Sequence, residues 1–251
     1  MRIVNIASEF APLCKTGGLA DVVSALTRAL DSRGHDVRVF LPAYSSLETL
    51  RLDRWEVDFA RDVEMQLGPH TYRYSLHHAR VPGTAFKVYL VHCPELFHRP
   101  GLYGNAEDEH RRFLLLTRAA LDACQRMGFA PDIVHCHDWQ AALLPLLLRE
   151  AERRHRVTLA LKTVFTIHNI AYQGLFPATT FARTNLPDEL YHIDGLEYYS
   201  QVNYMKGGVL FADRVTTAEV AVSHIGNGAH VFLGTGCATP LSLVRALETM
   251  V

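Results

Sequence analysis

Apolar residues along this chain fall into two alternating spacings, and the alternation outlines a fold. Arg2 to Ala7 (Arg-Ile-Val-Asn-Ile-Ala) and Asp36 to Leu41 (Asp-Val-Arg-Val-Phe-Leu), the second closed by Pro42, are β-branched runs that read as strands. Between them Leu19, Val22, Val23, Leu26 and Leu30 recur at helical spacing, and Arg33-Gly34-His35 supplies the charge and the flexible residue that favour a helix end. The length suits the ~30 or more residues of a right-handed crossover, which makes the two strands parallel neighbours in a covered sheet.

The rhythm continues. Phe86 to Val91 reads as a strand, and Glu107 to Met127 as a helix with Glu107, Asp108 and Glu109 at its positive end. Asp132 to His135 is a strand, Gln140 to Arg154 an Ala/Leu-rich helix with a basic finish, and Lys162 to Ile167 a strand. Asn203 to Ala212 is a short helix and Arg214 to Thr217 a last strand; Asp53 to His78 departs from the pattern as an antiparallel excursion with alternating Tyr72 and Tyr74. With no repeat, low-complexity tract or linker, the pattern predicts one α/β domain, a Rossmann-like, doubly wound and mostly parallel sheet.

Composition narrows the function. In 251 residues, 49% are apolar and 20% charged, enough to fill a core. The 25 Lys and Arg against 26 Asp and Glu leave a net charge of -1, which removes the basic field that nucleic acid or an anionic membrane surface requires. No apolar run approaches the ~20 residues of a membrane span, and Met1-Arg2 leads straight into a strand in place of a signal peptide, so a cytoplasmic location is expected. Five scattered cysteines without a CxxC pair indicate neither a disulfide framework nor a zinc ribbon.

Three segments carry candidate chemistry. The loop after the first strand, Glu9 to Asp21, holds Lys15-Thr16-Gly17-Gly18 and runs into a helix, so its glycines, exposed amides and mobile cation could hold a phosphate. It is neither a Walker A loop nor G-x-G-x-x-G, and a glycine turn that only packs helix on sheet is the alternative. In His135-Cys136-His137-Asp138-Trp139 the two histidines share one strand face, and Asp138 and Trp139 lie at the strand's carboxyl end, where ligands gather in open α/β sheets. An indole platform and a carboxylate suit a sugar; a metal site is the alternative, although no further spaced ligand follows, and His135 also reads as a core histidine. Thr166-Ile167-His168-Asn169 ends another β-branched strand, which makes His168 a site candidate. Gly226-Asn227-Gly228 and Gly234-Thr235-Gly236 read as turns.

Ser8-Glu9-Phe10-Ala11-Pro12 with Lys15-Thr16-Gly17-Gly18-Leu19-Ala20-Asp21-Val22 resembles the N-terminal signature of bacterial-type glycogen and starch synthases. The segments 135–140, 165–174 (Phe165-Thr166-Ile167-His168-Asn169-Ile170-Ala171-Tyr172-Gln173-Gly174), 203–208 and 212–217 agree with that family in order and spacing. The resemblance covers residues 1–217. It implies the N-terminal, Rossmann-like half of a GT-B glycosyltransferase, with 218–251 a divergent tail and the C-terminal donor-binding domain absent. The implied reaction is retaining transfer of glucose from ADP-glucose to an α-1,4-glucan with no metal and no cofactor, its partners a nucleotide sugar and a glucan acceptor. By the same resemblance His168, Asp138 and Asn169 are catalytic; Lys15, Gly17, Gly18, Asp21 and Tyr103 lie on the donor side; Glu9 and Trp139 face the acceptor. A donor site divided between two domains implies little activity for this polypeptide alone, and a non-catalytic glucan-binding module is the alternative function. The sequence specifies no oligomeric state.

Overall fold

The computed structural model describes residues 1–216 apart from 51, 52, 82 and 156–159; the predicted tail 218–251, with its two glycine turns, lies outside the described residues. In chain order the elements are β1 (Arg2–Ile6), α1 (Gly18–Asp31), β2 (Asp36–Pro42), β3 (Arg54–Glu56), β4 (Val63–Leu67), β5 (His70–Ala79), β6 (Lys87–His92), α2 (Pro94–Phe97), α3 (Glu109–Arg126) and β7 (Ile133–His137). They continue with α4 (Asp138–Ala141), α5 (Leu144–His155), β8 (Lys162–Thr166), β9 (Leu175–Pro177), β10 (Glu197–Tyr198), β11 (Gln201–Asn203), α6 (Tyr204–Phe211) and β12 (Arg214–Thr216).

The main sheet has the order β12-β8-β7-β1-β2-β6-β5-β3, with β4 also paired to β5. Every pairing from β12 to β6 is parallel, and β5 joins β6, β3 and β4 antiparallel, as the excursion from Asp53 to His78 requires. The chain winds outward from β1 through β2 to β6, then returns to the other side of β1 and winds the opposite way through β7, β8 and β12. The reversal falls between β1 and β7, and in open α/β sheets the crevice for a ligand opens there, beyond the strands' carboxyl ends.

The core follows from the periodicities. On α1 the buried face is Leu19, Ala20, Val23, Ser24 and Thr27, while Val22, counted in the predicted stripe, is exposed. The α3 helix buries Phe113, Leu114, Leu115 and Leu116 completely or nearly so, against a sheet whose own strands contribute Ile6, Phe40, Leu41 and Phe165. Among the described residues no helix is long and apolar enough to cross a membrane.

Two elements differ from the reading of the sequence. The helix predicted over Gln140 to Arg154 is two helices, because Pro145 has no amide to donate to Ala141 and the turn breaks at Ala142-Leu143. The strand predicted to stop at His135 runs to His137, carried on by pairing with β8, where His137 stands opposite Thr166. A three-stranded antiparallel sheet, β10-β11-β9, went unpredicted, its strands being only two or three residues long.

Candidate functional site

The loop after β1 is folded around a carboxylate. Glu9 is buried, and it accepts hydrogen bonds from the Thr16 amide at 2.6 Å, the Thr16 hydroxyl at 2.7 Å, the Gly17 amide at 3.1 Å and the Tyr103 hydroxyl at 2.7 Å. An anion does sit on the glycine loop, and it belongs to the protein. In this structure the oxygens of Glu9, expected on the acceptor side, are engaged inside the protein, and the hydroxyl of Tyr103, expected on the donor side, is shared between Ser8 and Glu9. Both residues set the loop's shape. Tyr103 is in turn fixed from α3: the buried pair Arg112–Glu109, at 2.9 Å, accepts the Gly104 amide on Glu109.

With Gly17 held, the loop still offers the start of α1, where the amides of Gly18 and the next residues have no partner within their own helix. Lys15 is beside it, half exposed, with Nζ 2.8 and 2.7 Å from the two Asp21 carboxylate oxygens. Asp21 is the counter-ion of Lys15 in this structure.

At the next strand end, His135 and His137 lie on one face with ring centroids 4.0 Å apart. His135 Nε2 meets Thr166 Oγ1 at 2.7 Å, and His137 Nδ1 meets His168 Nε2 at 3.0 Å. Asp138 follows in the left-handed region, φ 55°, and its Oδ1 accepts the amides of His168 at 2.7 Å and Asn169 at 3.3 Å. The end of β7 thus grips the end of β8 by side chain and by main chain. Burial pushes the Asp138 carboxyl up to about 7, the two amides opposing it and the charge of Glu9 adding to it. Burial lowers His168 to about 4 against the opposing pull of Glu9, so its ring is neutral at pH 7. Burial likewise lowers His135 to about 4 and His137 well below its ordinary value, with the neighbouring histidines adding to the effect.

Trp139 is not an open platform. It is 8% exposed, packed among Phe113, Phe176 and Tyr204, and a Cβ placed on Gly174 would sit 2.7 Å from the indole. The indole, expected to face an acceptor sugar, lies in an aromatic cluster under the 169–174 loop. Asn169 is exposed, its Oδ1 accepting the Ala171 amide at 3.0 Å, which shapes the same loop.

The three segments converge. β1, β7 and β8 are consecutive in the sheet, with Ile6 opposite Cys136 and His137 opposite Thr166, so the residues just beyond these ends share one edge within about two strand spacings, roughly 10 Å. Glu9, bonded to the loop, acts electrostatically on both Asp138 and His168, which ties the loop to that edge. Lys15, Gly18, Asp138, His168 and Asn169 form the candidate surface; Glu9, Gly17, Asp21, Tyr103 and Trp139 support it. Beside it opens a hollow of about 270 Å³ lined by Ile167, Ile170, Gln173, Tyr198 and Lys206. Among the described residues no group of three or more His, Cys, Asp or Glu side chains is arranged to hold a metal ion. Sequence reasoning missed Thr16 and the partnership of His137 with His168; the period-two His-x-His showed the first ring's face and nothing of its partner 31 residues on.

Comparison with known proteins identifies the family. A family model described as the starch synthase catalytic domain matches residues 2–224. The chain is 45% identical to a glycogen synthase of Opitutus terrae over 264 residues, covering 100% of the chain and 54% of the relative. It is 43% identical to a glycogen synthase of Geotalea uraniireducens, covering 99% of the chain and 52% of the relative. The solved catalytic domain of starch synthase IV from Arabidopsis thaliana, bound to ADP and acarbose, superposes with a TM-score of 0.75 at 33% identity over 85% of this chain and 44% of that one. The chain spans about half the length of the curated relatives it matches. Its α/β fold with a mostly parallel sheet matches the GT-B starch synthase catalytic domain, and the chain belongs to the starch synthase catalytic domain family.

Proposed function

We propose that this chain forms the acceptor-side part of a cytoplasmic glucosyltransferase that moves glucose from ADP-glucose to the non-reducing end of an α-1,4-glucan with retention, using no metal or cofactor. The observation that carries the reading is that the Lys15 loop and the bonded pair His168 and Asp138 follow the ends of neighbouring strands at the edge where the sheet reverses. As the glucose–phosphate bond breaks, negative charge grows on the leaving diphosphate, and a cation with free helix amides can stabilise it. Lys15 exchanges Asp21 for phosphate at modest cost, since an exposed pair is worth about 0–1 kcal/mol. His168, neutral and anchored, hydrogen-bonds to the sugar and is not the nucleophile. The amides take Asp138 Oδ1, leaving Oδ2 for a sugar hydroxyl. A relative of this family solved with ADP and acarbose supports both substrate classes.

Calorimetric titration of ADP-glucose into the chain tests this. Lys15→Ala is expected to weaken binding about tenfold to a hundredfold, the worth of one charge-assisted hydrogen bond. Equal affinity in wild type and variant contradicts the reading.

A further inference from the structure

We infer that His137 is a positioning residue that fixes the tautomer of His168, so that the site presents His168 Nδ1–H as a hydrogen-bond donor. His137 is fully buried, and its Nδ1 lies 3.0 Å from His168 Nε2. Two neutral imidazoles sharing one hydrogen bond carry one proton each, which leaves two arrangements. In the first, His137 Nδ1–H donates to His168 Nε2; the remaining nitrogens are then a bare acceptor at His137 Nε2 and an N–H at His168 Nδ1. In the second, His168 Nε2–H donates to His137 Nδ1, and His137 is left with Nε2–H as a buried donor.

The surroundings of His137 Nε2 decide between them. That atom is buried and has no hydrogen-bond partner among the described residues. An orphaned buried N–H is rarer in proteins than an under-satisfied buried acceptor, so the first arrangement is favoured. The neighbouring ring of His135 does not supply an acceptor either, since it lies tilted against His137 with ring centroids 4.0 Å apart and turns its Nε2 to Thr166 Oγ1 at 2.7 Å. His168 is held at a second point, its amide donating to Asp138 at 2.7 Å, so ring and backbone are both anchored by consecutive residues at the end of β7. A histidine fixed this way offers a donor suited to a sugar hydroxyl oxygen or a phosphate oxygen, and no general base.

The inference rests on the reading of His168 as a site residue but concerns the free protein, so its test needs no substrate. The full 251-residue chain, labelled with 15N in its 14 histidines, is examined by long-range 1H–15N correlation at pH 7.5. The expected spectrum shows His168 as the Nδ1–H tautomer, although an unconstrained imidazole prefers Nε2–H. His137→Asn, whose side-chain amide can donate from about the position of Nδ1, is expected to keep that form; His137→Gln and His137→Leu are expected to return His168 to Nε2–H. A wild-type His168 in the Nε2–H form overturns the inference whether or not any variant folds, and so does an Nδ1–H form that persists in His137→Leu. Failure of ADP-glucose to bind a chain whose His168 is in the Nδ1–H form counts against the proposed function alone.

Discussion

Two aspartates in this chain respond to pH in opposite directions. Asp138 is buried with its carboxyl raised from 3.8 to about 7, so the folded state holds the proton more tightly than the unfolded chain does. Stability from this group is complete below pH 4 and is lost as pH rises to about 7, a penalty on the order of 2–4 kcal/mol above that. Asn tolerates the left-handed φ of 55° and keeps an oxygen for the His168 and Asn169 amides. Asp138→Asn is therefore expected to exceed wild type in urea-unfolding stability at pH 8 and to match it near pH 4; a variant less stable at pH 8 contradicts this. At Asp213 burial raises the carboxyl, but the Thr163 amide and hydroxyl and the charges of Arg149 and Lys162 outweigh it and hold the group at about 2. Its stabilisation is present above about pH 4 and lost as pH falls through 2. Asp213→Ala is expected to cost about 2 kcal/mol at pH 7, the difference shrinking in acid, as chemical unfolding at the two pH values would register. The candidate residues stand in the sequence motifs, and the contacts each makes inside the protein were not legible there. Glu9 reads as an acceptor contact from the family resemblance, and Trp139 also because an indole suits a sugar. In the structure Glu9 holds a loop, through partners from 7 to 94 positions away, and Trp139 packs in an aromatic cluster, and neither arrangement is visible in the sequence.

At the scale of elements, the strand ends are kept in place by packing that the periodicity does not express. Gly174, at φ 65°, lies flat on Trp139, and an added methyl group meets the indole at 2.7 Å. Gly174→Ala combines a left-handed backbone with overpacking, and is expected to destabilise by about 2–4 kcal/mol in thermal or urea unfolding; a cost below 0.5 kcal/mol shows that the loop is free to lift. Arg112, 1% exposed among Tyr44, Phe97 and Phe113, neutralises the equally buried Glu109, which accepts the Gly104 amide next to Tyr103. Arg112→Met leaves that carboxylate unpaired, with an expected loss of about 3–5 kcal/mol in urea unfolding. The long helices and parallel strands were legible because one buried face repeats many times along them. The short β9, β10 and β11 contain too few residues to express a period, and the break between α4 and α5 was missed because an Ala/Leu-rich run outweighed Pro145 in the reading.

Over the whole molecule, strand order does what no single motif can. Crossovers of one hand place β2 and β6 on one side of β1 and β7 and β8 on the other, so loops separated by more than 100 residues open onto one edge. That order was anticipated only in class: alternation of strand and helix predicts a doubly wound sheet, while the position of the reversal depends on which side each crossover returns, a property of tertiary packing. The central claim is that the Lys15 loop and the ends of β7 and β8 form one sugar-phosphate surface. Amide chemical-shift mapping of the 15N-labelled chain during titration with ADP-glucose tests it most directly. The account predicts that Gly17, Gly18, His168 and Asn169 shift together with one apparent affinity, and that all four responses weaken in Lys15→Ala; shifts confined to the loop, or to a surface away from His168, would contradict it.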